Sequence, residues 1–243
     1  MQQQIQKELD RLKGLGASYA DARWYPFENS EQMVMINGNL KGNAASNESG
    51  IGVRVLYNGA WGFSAASDVR DLGAVFDRAL DNARIASQRV TFPVRLAEKD
   101  ALQASFTSPS QQDPFTVPLA EKVNFLAEID HKLDAPGVIQ RYSVLNFDKK
   151  QILYMDSEGS QIEKNITEVF AFLQVVGIDN AGVMQSRTFK LNRTGLTRGW
   201  ESIDRAYFSA QAERIISELN QLLVAEDCPK MTASVILKPG QMY

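Results

Sequence analysis

One histidine and one cysteine bound the chemistry open to this 243-residue chain. A Ser-His-Asp or Cys-His arrangement would have only His131 to use, and a zinc site built on two or three histidines is out of reach within these residues. His131 lies in VNFLAEIDHKLD, between Asp130 and Lys132, and reads as a solvated histidine on a charged helix. Cys228 stands between Asp227 and Pro229, where the acidic neighbour disfavours the thiolate and makes a poor nucleophile. Asp156 and Glu158 in DSEG could pair as carboxylates for acid–base work, but their place in a turn between strands reads as solvated. Arg187, Arg193 and Arg198 could together hold a terminal carboxylate or a phosphate, and read as a solvated loop. The glycines of GIGVRV lie inside a hairpin pattern with no following helix to present an anion site. No G-x-G-x-x-G follows a strand, and phosphate-loop, C-x-x-C and G-x-S-x-G signatures are missing from the sequence. No catalytic, cofactor-binding or metal-ligating residue is therefore assigned.

Composition narrows the partners. A hydrophobic share of 44% and a charged share of 23% are those of an ordinary globular protein. The net charge of −3 offers no basic field for nucleic acid or anionic lipid. The amphipathic start MQQQIQKELDRLKGLG lacks the apolar core of a signal peptide, and no apolar run has the length to span a bilayer. A lone cysteine excludes an internal disulfide and fits a reducing compartment, so a cytoplasmic protein is expected.

The elements that would position any site follow from periodicity. Ile5, Leu9 and Leu12 recur at helical spacing before Gly14 and Gly16 stop the helix. ASYADARWYPFENS reads as a strand with Pro26 near an edge, and Met33 to Ile36 as a second strand turned at Asn37-Gly38 into a third. SGIGVRVLYNGAWGFSAASD reads as a fourth and fifth strand around a type I′ turn at Asn58-Gly59. Gly50, Gly52 and Gly62 leave room there for a bulge or a close neighbour. A helix then starts at Ser67 or Asp68, with Val69, Leu72, Phe76, Ala79 and Ala83 on one face. Trp61, next to the turn, is expected to anchor either on this unit's helices or on a partner chain. Residues 88–118 hold four prolines and no sustained period, and read as a linker over 89–117.

Beyond it the grammar repeats. A helix over about 118–133 carries Leu119, Val123, Leu126 and Ile129; a strand pair turns at Asp148-Lys149-Lys150 and a second near Asp179 to Gly182; a helix over about 201–224 follows. Ala233 to Leu237 reads as one more strand, followed by a Pro239-Gly240 turn. The expected class is α+β: two successive units of antiparallel sheet with helices on one face, residues 1–88 and 118–227. Residues 228–243 then begin a further, truncated domain.

Three stretches carry a resemblance: LGASYADARWY; NGNLKGNAASNESGIGVRVLYNGAWGFSAASD with its helix ending ALDNARIAS; and ILYMDSEGSQIEKNITEVFAFLQVVGIDNAGVMQS with the later CPKMTASVILKPGQMY. Together they resemble the N-terminal half of the TldD/PmbA family, peptidases once described as modulators of DNA gyrase, and are closer to the TldD-like branch. The resemblance implies a zinc metallopeptidase that forms a dimer around a central cavity and cuts unfolded or extended peptides. It also implies a helix bearing His-Glu-x-x-x-His beyond Tyr243, whose histidines and a more distant cysteine bind zinc while the glutamate acts as general base. None of these residues is in the chain, and Cys228 does not match that cysteine. The expected role is scaffold: chamber walls and contacts to an identical subunit or a family paralogue, with no cofactor held by this chain itself. Two alternatives stand beside it, a stand-alone module that adds an extended peptide to a sheet edge, and part of the family's catalytically silent partner subunit.

Overall fold

The computed structural model describes residues 1–67, 69–226 and 229–237, with the side chains of 192–195 outside the description. Among the described residues, four α-helices and seven strands form an α+β fold. In chain order they are α1 (Gln2–Gly14), β1 (Tyr19–Ile36), β2 (Asn39–Tyr57), β3 (Ala60–Ala66), α2 (Leu72–Ser87), β4 (Gln103–Thr107), α3 (Leu119–Lys132), β5 (Gln140–Asp156), β6 (Gln161–Ile178), β7 (Met184–Leu196) and α4 (Arg205–Leu223). The strand order is β3-β2-β1-β5-β6-β4, with β7 also pairing with β6.

The chain divides into two compact units, whose segments are interleaved along the sequence where the sequence reading has them end to end. One comprises Met1–Ser30, Ser46–Ser108 and Asp148–Ile166; the other Glu31–Ala45, Pro109–Phe147 and Thr167–Tyr243. The cause is strand length. β1 and β2 run unbroken for 18 and 19 residues, so each merges two expected strands and crosses from one unit to the other. Pro26 consequently lies in a strand flanked by β2 and β5, not at an edge; one missing donor is a small loss in an 18-residue strand. The turn expected at Asp148-Lys149-Lys150 is likewise straight strand. Its polar side chains find partners on β1: Ser30 Oγ donates to Asp148 at 2.6 Å, and Lys150 stands 4.0 Å from Glu28.

In the first unit Ile5, Leu9 and Leu12 of α1 are fully buried, as their spacing requires. They join Ala20 and Ala22 of β1, Val53 and Val55 of β2, the inner face of α2, and Leu153 and Met155 of β5 in one core. α2 is capped by Asp71, whose carboxylate accepts from the Ala74 N–H at 3.0 Å, four residues beyond the expected start at Ser67; the alternative start, Asp68, lies outside the described residues. The β2–β3 hairpin has the expected turn, with positive φ at both Asn58 (48°) and Gly59 (78°) and Tyr57 opposite Ala60. Gly62 serves contact: a Cβ there would stand 2.1 Å from the Ala79 carbonyl and 2.3 Å from the Ala83 nitrogen, so α2 rests directly on the β3 backbone.

The first part of the segment expected as a linker, residues 89–108, belongs to this unit, and residues 109–117 belong to the other. Val94 N–H donates to the Gly59 carbonyl, and β4 pairs in parallel with β6, Gln103 opposite Gln161 through Thr107 opposite Asn165. That parallel pair departs from the otherwise antiparallel plan.

In the second unit α3 and α4 cover a core built on Met33, Met35, Leu145, Phe147, Val169 and Leu173. Phe125 meets Phe208 and Trp200 edge-on, and Phe189 meets Phe208 likewise. Lys122 is buried against Glu31, with its ammonium over the Phe147 ring at 5.0 Å. Leu119 is exposed where the helical period places it inside, while Phe125 takes a core position. The β6–β7 turn lies where expected, with Gly182 at φ 78°. Residues 233–237 form no strand, and Ile236 is 93% exposed. No strand among the described residues pairs with this stretch. Residues 239–240 lie outside the described set. No helix among the described residues is long and apolar enough to cross a membrane.

Candidate functional site

Strand alternation sorts the first unit's side chains into two sets. Ala20, Ala22, Val53, Val55, Leu153 and Met155 join the helices in the core. The residues of opposite parity, Tyr19, Asp21 and Arg23 on β1, Arg54 on β2, and Tyr154 and Asp156 on β5, face away from it. That second face carries a connected polar network. Arg54 grips Asp21 through three hydrogen bonds of 2.6–3.2 Å and lies 5.1 Å above the Trp61 ring. Trp61 in turn meets Tyr19 edge-on at 5.9 Å, so its anchor is this face rather than the helices. The Tyr19 and Tyr154 hydroxyls are 2.7 Å apart, and Tyr154 donates to Asp156 Oδ2 at 3.1 Å.

Asp156 is the hub. It is fully buried, a correction to the solvated turn carboxylate expected from DSEG. Lys99 donates to its Oδ2 at 2.5 Å, and the N–H groups of Glu158 and Ser160 donate to its Oδ1 at 3.0 and 2.9 Å. Glu158 remains at the surface, 3.6 Å from the Lys99 ammonium. Burial pushes the Asp156 carboxyl up, but the bonds from Lys99, Ser160 and Tyr154 outweigh it and hold the group below the usual carboxylate range. The bond to Asp156 raises Lys99, against a smaller opposing effect of burial. Tyr19 and Tyr154 are both raised, chiefly by burial. A carboxylate that is charged and saturated with donors, beside a lysine that stays protonated, is a poor general base in either member. The network fastens the 93–107 segment to the sheet.

Beside it opens a cleft of about 510 Å³. Tyr154 and Ile152 of β5 lie between Arg23 and Tyr25 of β1 on one side and Ile162 and Lys164 of β6 on the other. Lys99, Asp100 and Leu102 contribute from the crossing segment.

The other sequence candidates fall elsewhere. His131 is exposed near the end of α3. Arg187 is 3.9 Å from Glu218, Arg198 is exposed, and the Arg193 side chain lies outside the described set. Cys228 is also outside it. No group of three or more histidine, cysteine, aspartate or glutamate side chains among the described residues could hold a metal ion, and Asp156 is already committed to its donors. The described residues therefore do not fit a catalytic metal. Sequence reasoning missed Lys99, Arg23 and the two tyrosines. Lys99 reaches Asp156 across 57 positions, a separation that carries no periodic signal.

Comparison with known proteins gives this architecture its relatives. Residues 27–83 match the PmbA/TldA metallopeptidase domain 1, and residues 112–223 match the PmbA/TldA metallopeptidase central domain. The chain belongs to the PmbA/TldD family. Among PmbA/TldD-type relatives, a metalloprotease of Methanocaldococcus jannaschii is 27% identical over 240 residues, which span 96% of this chain and 50% of that protein. A metalloprotease of Methanothermobacter thermautotrophicus is 26% identical over 221 residues, 91% of this chain and 47% of that one. The chain thus spans about half the length of the curated relatives it matches. A proposed modulator of a DNA gyrase from Thermotoga maritima shares the PmbA/TldD-type fold with a TM-score of 0.72 at 13% identity, covering 94% of this chain and 50% of that structure.

Proposed function

We propose that these residues form the non-catalytic, amino-terminal scaffold of a TldD-like zinc metallopeptidase that hydrolyses unfolded or extended peptides in the cytoplasm. The observation that carries the reading is the ordered match to the family's first and central domains over about half the length of relatives named metalloproteases. The single histidine agrees with it, since a two-histidine zinc site cannot be assembled from this chain alone. On this reading the two interleaved units supply walls of a peptide chamber and contacts to a second subunit, identical or paralogous. Zinc and the general base come from a His-Glu-x-x-x-His helix outside these residues.

Two measurements test it. The coding sequence downstream of Tyr243 is expected to contain His-Glu-x-x-x-His; its absence there refutes the active-branch reading. The purified 243-residue chain is expected to retain no stoichiometric zinc and to cleave no unfolded peptide. Metal analysis returning about one tightly held zinc per chain overturns the scaffold role.

A further inference from the structure

We propose that the cleft on the helix-free face of the first unit binds a carboxylate that carries an apolar group. Its volume of about 510 Å³ falls within the roughly 300–1,000 Å³ typical of small-ligand sites. Tyr25, Ile152, Tyr154 and Ile162 give it an apolar and aromatic lining.

Two cations in that lining are free to bind. Arg23 lies 5.5 Å above the Tyr154 ring, with its side chain 46% exposed, and its nearest carboxylate is Asp21 at 3.9 Å. Asp21 is already held by the shorter bonds from Arg54, so the planar fork of Arg23 remains available for a bidentate partner. Lys164 is exposed and makes no ion pair among the described residues. The third cation, Lys99, is committed to Asp156. Asp100 at the rim offsets one of the free charges, which leaves a modest positive excess over a mainly apolar lining.

That balance fits a singly charged anion with an apolar body. A phosphate would demand more donors than two side chains supply. The matching chemistry is found in an acidic residue flanked by apolar ones in a polypeptide, and in a free small carboxylate. The inference rests on the cleft alone and stands whether or not the chain is part of a peptidase.

The test is calorimetric titration of the intact 243-residue chain with three probes, together with amide chemical-shift mapping. The probes are the N-acetylated, C-amidated peptide Leu-Glu-Leu-Glu-Leu, the same peptide with glutamine in place of glutamate, and 4-phenylbutyrate. At least one of the two carboxylate probes is expected to saturate, with shifts confined to residues near 23–25, 152–154 and 162–164. The glutamine peptide should bind roughly tenfold more weakly or not at all. The double variant R23E/K164E, at exposed positions, should lose roughly tenfold in affinity while melting like the parent, and Lys164→Gln should show a smaller loss. Asp100→Asn should tighten binding. Saturation by the peptide alone assigns a polypeptide ligand, and by phenylbutyrate alone a small molecule. Failure of both to saturate by about 10 mM, equal binding of the glutamine peptide, undiminished binding by both charge variants, or shifts elsewhere on the chain would each overturn the proposal.

Discussion

Placing a single methyl group on Gly62 should separate α2 from the sheet. The Cβ of Gly62→Ala would lie 2.1 Å from the Ala79 carbonyl oxygen, 2.3 Å from the Ala83 nitrogen and 2.8 Å from the Ala83 Cα. Carbon and oxygen come no closer than about 3.3 Å without repulsion, so the helix must retreat by about 1.2 Å (3.3 less 2.1). These obstacles are helical backbone, which has no rotamer to adopt. A gap of 0.5–1 Å already forfeits about a quarter to a half of the dispersion well for each contact, and Val75, Phe76, Ala79, Leu80 and Ala83 all make such contacts. The expected cost is therefore about 3 kcal/mol, the upper end for overpacking. For a chain of this size it corresponds to a drop in melting temperature of roughly 6–12 °C. Thermal melting and urea unfolding of Gly62→Ala measure it against Gly14→Ala. Gly14, at the end of α1, has nothing within 4 Å of a Cβ, so its variant should melt within about 2 °C of the parent. If Gly62→Ala also melts within that margin, the direct contact of α2 with β3 is refuted.

Gly59→Val should destabilise by at least the roughly 1–3 kcal/mol of a β-branched residue at positive φ, because its Cβ would also stand 2.5 Å from the Pro93 Cβ; a melt like the parent's would refute the turn geometry. Asp156 is held below its ordinary value, so its charge adds stability that is full above the unfolded-state pKa near about 3.9 and is lost as pH falls through the lower folded value. Asp156→Asn should lower stability at neutral pH and flatten the acid limb below about pH 4, whereas acid limbs that superimpose after a constant offset would contradict the pairing with Lys99. Brief trypsin treatment should cut after Arg89, which is exposed and precedes the fastened segment, before it cuts after Lys99. Mass mapping that finds Lys99 cut first would show that the 93–107 segment is not fastened to the sheet.

Much of the fold could be read from local pattern. The helix of Ile5, Leu9 and Leu12 and the type I′ turn at Asn58-Gly59 involve neighbours in the chain, and periodicity or a positive-φ requirement reports them directly. The family motif around residues 49–66 belongs to the same class, because its glycines serve a hairpin and the helix that packs on it. Strand length did not yield to such reasoning. Pro26 and the polar run Asp148-Lys149-Lys150 look like local breaks, yet partners on adjacent strands, such as Ser30 and Glu28, keep β1 and β5 continuous. The same limit applies to the candidate site. Asp156 in DSEG has the local signature of a solvated turn, and only Lys99, and Tyr19 through the neighbouring Tyr154, arriving from distant parts of the chain make it the buried hub of a network. Amphipathic order is encoded by neighbours, whereas the charge state and burial of a polar side chain depend on which remote donors the tertiary fold brings to it.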